Sequence, residues 1–251
     1  KTLSTGTKNI LYGAHFPSST NGFAVGEEGT FAKSSDGGYT WSELFTGIFQ
    51  TYYGVWFLDN NTGWIAGDSA VILKTTNGGV SWNDQNSRSE ETLNSVYFLN
   101  SSRGWAVGDF GTILATTNGG TLWSPQIVSS FTSFLKIRFA NDQVGWVTGY
   151  GGEIFRTTNG GATWVEQFSG TTQAIYALEV IDANTVFATG DFGTLLKTTD
   201  GGENWNLIPN DFFERFYGLT FSSASTGWAV GDEGIVVLTT NGGSTWTRVN
   251  C

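Results

Sequence analysis

The chain is 251 residues long, carries a formal net charge of −10, and is rich in Gly (35) and aromatics (15%) but poor in charged residues (14%). An acidic surface repels phosphate backbones, which excludes nucleic acid as a partner, and no apolar run approaches the ~18 residues that a membrane-spanning helix needs. Lys/Glu/Ala stretches are absent, which excludes a helical fold in favour of short strands and tight turns, an all-β class.

In chain order, the first unit opens with an apolar run at Leu11, Ala14 and Phe16, continues through Phe23 and Gly26, and ends in the turn Ser34-Ser35-Asp36-Gly37-Gly38-Tyr39-Thr40-Trp41. The second repeats it as Tyr52, Val55, Phe57, Trp64, Gly67 and Trp82. In the third the strands read most clearly: Leu93 to Leu99, Gly104 to Val107, Thr112 to Thr116, and a fourth around Trp123. Three more units end at Trp164, Trp205 and Trp246, each interval being 41 residues, and the series Phe23, Trp64, Trp105, Trp146, Phe187, Trp228 and Gly26, Gly67, Gly108, Gly149, Gly190, Gly231 keep the same phase. Four short strands per unit of about 40 residues are the signature of a propeller blade. The expected fold is one six-bladed β-propeller domain over residues 1–251, with four-stranded antiparallel blades. Its strands should be apolar on both faces because neighbouring blades cover both, with the Trp and Phe series wedged between blades, roughly 2–3 kcal/mol for each buried ring.

The terminal turns fit S/T-x-D-x-G-x-x-W, the Asp-box, with Asn77, Asn118, Asn159, Asp200 and Asn241 following Asp36 at the third position. The Asx side chain accepts backbone N–H groups of its own turn and Gly supplies positive φ, so the role is structural and no metal is expected there. No cofactor is implied.

Positions that differ between the copies are the candidates for function. On the first strand, which lines the central channel of a propeller, one position reads His15, Trp56, Tyr97, Arg138, Glu179, Thr220. Three residues earlier lie Tyr12, Tyr53, Asn94, Leu135, Tyr176 and Tyr217. Aromatics with scattered polar partners suit a sugar or a protein segment, so Tyr12, His15, Tyr53, Trp56, Tyr97, Arg138, Tyr176, Glu179 and Tyr217 form the candidate ligand-binding set at the channel mouth; the bland reading is that they plug the channel. Arg138 and Glu179, on adjacent blades, are expected to pair. A second ring, Glu27, Asp68, Asp109, Tyr150, Asp191 and Asp232, makes one face negative and suits backbone capping, a basic partner or a cation.

The repeat G-W-A-V-G-x-x-G-T-I-L-K-T-T-N-G-G-x-T-W, seen at Gly63–Trp82, Gly104–Trp123 and Gly227–Trp246, resembles the family of photosystem II assembly and stability factors over essentially the whole chain. The resemblance implies a non-enzymatic, extracytoplasmic protein that binds other proteins. The photosynthetic members typically have seven blades and a basic patch; this chain reads as six, with its six Arg dispersed. Asp-boxes also occur in sialidases and xyloglucan-cleaving glycosidases. A sialidase needs three convergent arginines and the channel position supplies one; a glycosidase needs two facing carboxylates, and beside Glu179 only Asp211 and Glu214 come into question.

The expected function is that of a non-catalytic, secreted or surface-exposed interaction propeller that binds or assembles proteins. The alternative is carbohydrate binding at the channel mouth, and a glycoside hydrolase ranks third. Three features concern the ends. The chain begins at Lys1 and contains no Met, read as a processed product or a fragment. Its one Cys, Cys251, forms no internal disulfide and is read as having no specific role. Residues 1–5 and 247–251 share one phase of the repeat, so the outer edge of one blade is claimed twice.

Overall fold

Short apolar runs separated by Gly- and Asx-rich turns can satisfy their backbone groups only by pairing with the next run, and that is how each unit folds. In the computed structural model, which describes residues 6–249, the second unit forms strands Tyr52–Phe57, Gly63–Gly67, Ile72–Thr75 and Asn83–Asp84, joined antiparallel in chain order. Five further four-stranded sheets repeat this order, with first strands Leu11–His15, Leu93–Phe98, Phe134–Phe139, Ile175–Val180 and Phe216–Phe221. The architecture is the expected six-bladed β-propeller. The chain clusters into two compact units of three blades each, residues 1–126 and 127–251. The fourth strand of the sixth blade is Thr247–Arg248; residues 1–5, its expected competitor, and Cys251 lie outside the described residues.

Inside each unit the blades meet through the aromatic series. In the first, Phe23 stacks on Phe57 at 3.6 Å and Trp64 on Phe98 at 3.5 Å; in the second, Phe187 stacks on Phe221 at 4.4 Å. The Phe at these three seams also meets the Trp of its own terminal turn edge-on, as in Phe98 with Trp123 and Phe221 with Trp246, both at 5.8 Å. Such pairs contribute roughly 0.5–1.5 kcal/mol beyond the area they bury. The expectation that every blade is covered on both faces holds for blade 2, where Phe57, Trp64, Ile65 and Ile72 are buried.

The terminal turns carry one hydrogen-bond pattern six times. In blade 2 the buried Thr75 hydroxyl donates to Asn77 Oδ1 and accepts the Gly79 amide, while Asn77 Oδ1 also accepts the Ser81 amide. The Gly78 amide then reaches back to the Asn61 carbonyl in the loop between the first two strands. Gly78 and Gly79 have φ of 69° and 85°, a region that glycine enters without steric cost. A lysine from the preceding blade fastens three of these turns to their neighbours. Lys33 Nζ donates to the Gly78 carbonyl, Lys74 Nζ to Gly119 and Lys197 Nζ to Gly242, at 3.0, 2.9 and 2.7 Å. Each ammonium lies 5.2–5.6 Å from an aromatic centroid of its own blade.

Two predictions arise from these contacts. Lys74→Met keeps the aliphatic stem but removes the bond to Gly119 and the contact with Trp64, and should lower the unfolding free energy by about 1–2 kcal/mol in urea titration. The second concerns acid. Hydrogen bonds from Thr40 hold Asp36 at about 2, and those from Asn204 hold Asp200 at about 2. A lowered folded-state pKa contributes stability above the unfolded value, near 4, that is lost as pH falls toward 2. Amide protection in the turns of blades 1 and 5, taken relative to the intrinsic exchange rate at each pH, should therefore fall between pH 4 and 2, while that of the four Asn turns does not. Asp36→Asn should abolish the response in blade 1.

Candidate functional site

The first strand of every blade is irregular at one residue. Its register against the second strand shifts between Leu11 and Gly13, Tyr52 and Gly54, Leu93 and Ser95, Phe134 and Lys136, Ile175 and Ala177, and Phe216 and Gly218. The skipped residue is a β-bulge, which leaves a side chain out of the ladder and re-aims it. The six bulged residues are Tyr12, Tyr53, Asn94, Leu135, Tyr176 and Tyr217, the polar-aromatic series singled out from the sequence.

These side chains engage the acidic turn between the second and third strands. In the first unit, Tyr12 donates to Glu27 Oε1 (3.2 Å), Tyr53 to Asp68, and Asn94 Nδ2 to Asp109 Oδ1 (3.1 Å). In the second unit Tyr176 donates to Asp191 Oδ2, Asp191 Oδ1 pairs with Arg215 Nε at 2.5 Å, and Arg215 Nη1 donates to Tyr217. The carboxylates of Glu27, Asp109 and Asp191 thus meet the bulge residues rather than cap their own turns. Burial together with Asp68 pushes the Tyr53 phenol up to about 12, and burial with Asp191 does the same to Tyr176. Tyr12 and Tyr53 approach to 5.1 Å, Tyr176 and Tyr217 to 5.2 Å. Tyr12 and Tyr217 are nearly half exposed. Each unit thus presents a pair of phenol rings anchored at the hydroxyl by carboxylate or guanidinium, a surface suited to apolar contact and to hydrogen bonding at its edge.

The other candidate position behaves differently. His15 Nδ1 accepts the Phe57 amide, Trp56 Nε1 donates to the Phe98 carbonyl and Glu179 Oε1 accepts the Phe221 amide. Each side chain reaches the backbone of the next blade's first strand. His15, Trp56 and Tyr97 also run as a ladder, with centroids 4.1 and 4.7 Å apart, and Tyr97 is buried. Variation between copies therefore does not mark this position as free of the fold: different side chains answer one demand, the polar backbone of the neighbour. Arg138 donates to its neighbouring Ile137 carbonyl and acts on Glu179 through its charge. The Glu179 carboxyl is raised by burial, against the lowering effect of Arg138, the Phe221 amide and Lys136.

Lys136 was not legible as a site residue. It occupies a position held elsewhere by Gly13, Gly54, Ser95, Ala177 and Gly218, and burial first, then the Arg138 charge, lower its ammonium to about 7 against the opposing pull of Glu179. A comparison of the copies at this small-residue position would have found it. Phe110 and Phe192 are a second omission. They follow Asp109 and Asp191 with φ of 53° and 52°, and both are about two-thirds exposed. A bulky residue held there costs about 1–2 kcal/mol, and such strain concentrates at sites of function.

The family model described as "Photosynthesis system II assembly factor YCF48" matches residues 1–87, 46–131, 80–168, 123–213 and 167–251, together the whole chain. Among solved structures, "YCF48 bound to D1 peptide" is 20% identical with a TM-score of 0.80, over 98% of this chain and 82% of that one. YCF48 from Cyanidioschyzon merolae is 21% identical with a TM-score of 0.78, over 99% and 88%. A GH74 enzyme from Niastella koreensis reaches 0.80 at 17% identity, over 98% of this chain but 46% of its own. At these identities the structures share the fold alone. No curated protein matches the chain in sequence.

The two variable series should separate on mutation. Trp56→Ala removes the seam contact with Phe98 and should cost about 3 kcal/mol in urea unfolding, whereas Tyr12→Ala should cost less than about 1 kcal/mol.

Proposed function

Because the chain belongs to the YCF48 family of photosystem II assembly factors, we propose that it is a non-catalytic assembly propeller that holds a segment of another protein against the tyrosines of its first-strand bulges. The observation that carries this reading is the bulge itself. It takes Tyr12, Tyr53, Tyr176 and Tyr217 out of the ladder and leaves their rings to partner contact while carboxylates and Arg215 fix their hydroxyls. Aromatic anchors with a polar rim are what binding hot spots are made of. The bound D1 peptide of one structural relative supports a peptide segment as the kind of partner. An extracytoplasmic location is part of the proposal and follows from the resemblance to secreted and surface-exposed relatives of the family.

A glycosidase is less well supported. Hydrolysis needs one carboxyl as acid and a second as base or nucleophile. Glu179 is occupied at the seam by the Phe221 amide, and Glu214 is paired with Arg248 at 2.6 Å. The GH74 likeness concerns the fold.

The test is photo-crosslinking in cells with a benzophenone amino acid at Tyr12, Tyr53, Tyr176 or Tyr217, and at Tyr39, which sits in a terminal turn and is 70% exposed, as control. Discrete protein adducts at the bulge positions but not at Tyr39, recovered from the extracytoplasmic fraction, are the expected result. Equal adducts at Tyr39, or none at the four bulges, would sink the docking reading, and adducts confined to cytoplasm would sink the location.

A further inference from the structure

Blade 2 breaks the repeat at one backbone position. In blades 1, 4 and 5 the turn between the second and third strands carries Gly29, Gly152 and Gly193 at φ of 75°, 78° and 67°. A Cβ at any of them would collide with a carbonyl of the connection to the next blade, that of Ile48, Thr171 or Phe212. Gly29 and Gly193 also donate their amides to that connection, at Gln50 and Glu214. Blade 2 instead has Ala70, buried, with φ of 57°, preceded by Ser69 at 54°. Ala70 carries the very atom that the other blades leave out, and among the described residues its amide makes no such bond. The connection that follows it therefore runs farther from the turn, and it bends at Arg88, whose φ is 59°. Three of the seven non-glycine residues with positive φ in the described chain belong to this turn and its connection.

The displaced connection borders a groove of about 440 Å³ within the first unit, a volume in the range of small-molecule sites. We propose that this groove binds a small neutral polyhydroxylated molecule, a mono- or disaccharide. The chemistry of its lining selects that class. Six of the ten lining residues bring neutral polar side chains, among them Gln50, Asn86, Ser87 and Ser89, against three apolar ones, Ile48, Ala70 and Val71; Asp84 is the one formally charged residue of the lining. Some of these groups are used locally: Gln85 Nε2 donates to Asn83 and Asp84 carbonyls, Asn86 Oδ1 accepts the Arg88 amide, and Ser87 and Ser89 hydroxyl oxygens accept amides. That leaves the Gln50 side-chain amide as donor and acceptor, and Asn86 Nδ2 and the serine hydroxyl protons as donors. Mixed donors and acceptors suit vicinal hydroxyls, each of which gives one hydrogen bond and takes others. An anion would find no Lys or Arg in the lining, a cation one carboxylate, and an apolar ligand too little apolar wall. The proposal stands apart from the tyrosine surface and does not depend on it.

Ala70→Gly tests it against its own strain. The substitution restores the residue of the other blades, removes the Cβ and lets the connection close. The melting temperature should stay unchanged or rise by roughly 2–4 °C, while saccharide binding falls at least ten-fold. Asn86→Ala removes a donor without closing the groove and should also weaken binding ten-fold. Binding is read by saturation-transfer NMR and calorimetry with methyl glycosides of glucose, galactose, mannose and xylose and their disaccharides. If no member of the panel binds, or if binding survives both substitutions, or if only a neutral peptide perturbs the groove's resonances, the assignment is wrong.

Discussion

The seam between successive blades is the constraint on which the rest depends. At Gly13 a Cβ would stand 2.8 Å from the Tyr53 carbonyl, and at Gly54 one would stand 3.0 Å from Ser95 Cα and Val96 N. First strands of neighbouring blades in the first unit thus approach almost backbone to backbone. Two kinds of bond then lock the blades at fixed sequence offsets. His15 to Phe57, Trp56 to Phe98 and Glu179 to Phe221 are each 42 residues apart, and Lys33 to Gly78, Lys74 to Gly119 and Lys197 to Gly242 are each 45 apart. An insertion in one copy would change the offset of each pair that spans it. The seam therefore explains the unbroken 41-residue spacing better than the blade does, since a single four-stranded sheet tolerates loops of many lengths.

A scaffold held this tightly has few places where a side chain is not already committed. The bulge is one. By dropping a residue from the ladder it releases Tyr12, Tyr53, Tyr176 and Tyr217 from pairing while the flanking residues stay fixed, so the rings are presented by rigid strands rather than by mobile loops. The acidic turns serve the same end, holding the phenols and so limiting the side-chain entropy that binding would cost. The two units solve this differently. Carboxylates face both phenols directly in the first; in the second Asp191 faces Tyr176 directly, but Arg215 stands between Asp191 and Tyr217. The tyrosine pairs are therefore alike in shape and different in charge.

The parts of this structure that are legible from sequence are those decided within a few residues. The Asx turn closes between Thr75 and Ser81, and its recurrence is visible as a spacing; so is the Trp that follows. The position of His15, Trp56 and Glu179 was misleading because its demand is made by another blade 42 residues away, and imidazole, indole and carboxylate all meet it. Variation there reflects a tolerant acceptor, not freedom. Lys136 escaped notice for a related reason: the signal lay in the smallness of its counterparts, which only the close approach of neighbouring first strands makes meaningful. The bulge does leave a signature, since Leu11, Ala14 and Phe16 break the two-residue alternation of a strand by one, and Tyr52, Val55 and Phe57 repeat the break.

Strained backbone gathers in one stretch of the blade. Ser69, Ala70, Phe110, Phe192, Glu28 and Glu233 all take positive φ in the turn between the second and third strands. The terminal Asx turns, by contrast, leave that conformation to Gly in all six copies. Nothing in the strands requires the first arrangement, because Gly151 holds the same position in blade 4 without strain. A chain selected for stability alone would use glycine at both turns. The strained turn is also the one whose acidic residue contacts the bulge side chain, so the cost falls next to the surface that the bulge sets free. The terminal turns, which only join blades, carry none of it. Strain distributed in this way follows, within each unit, the division between holding the scaffold and presenting a surface.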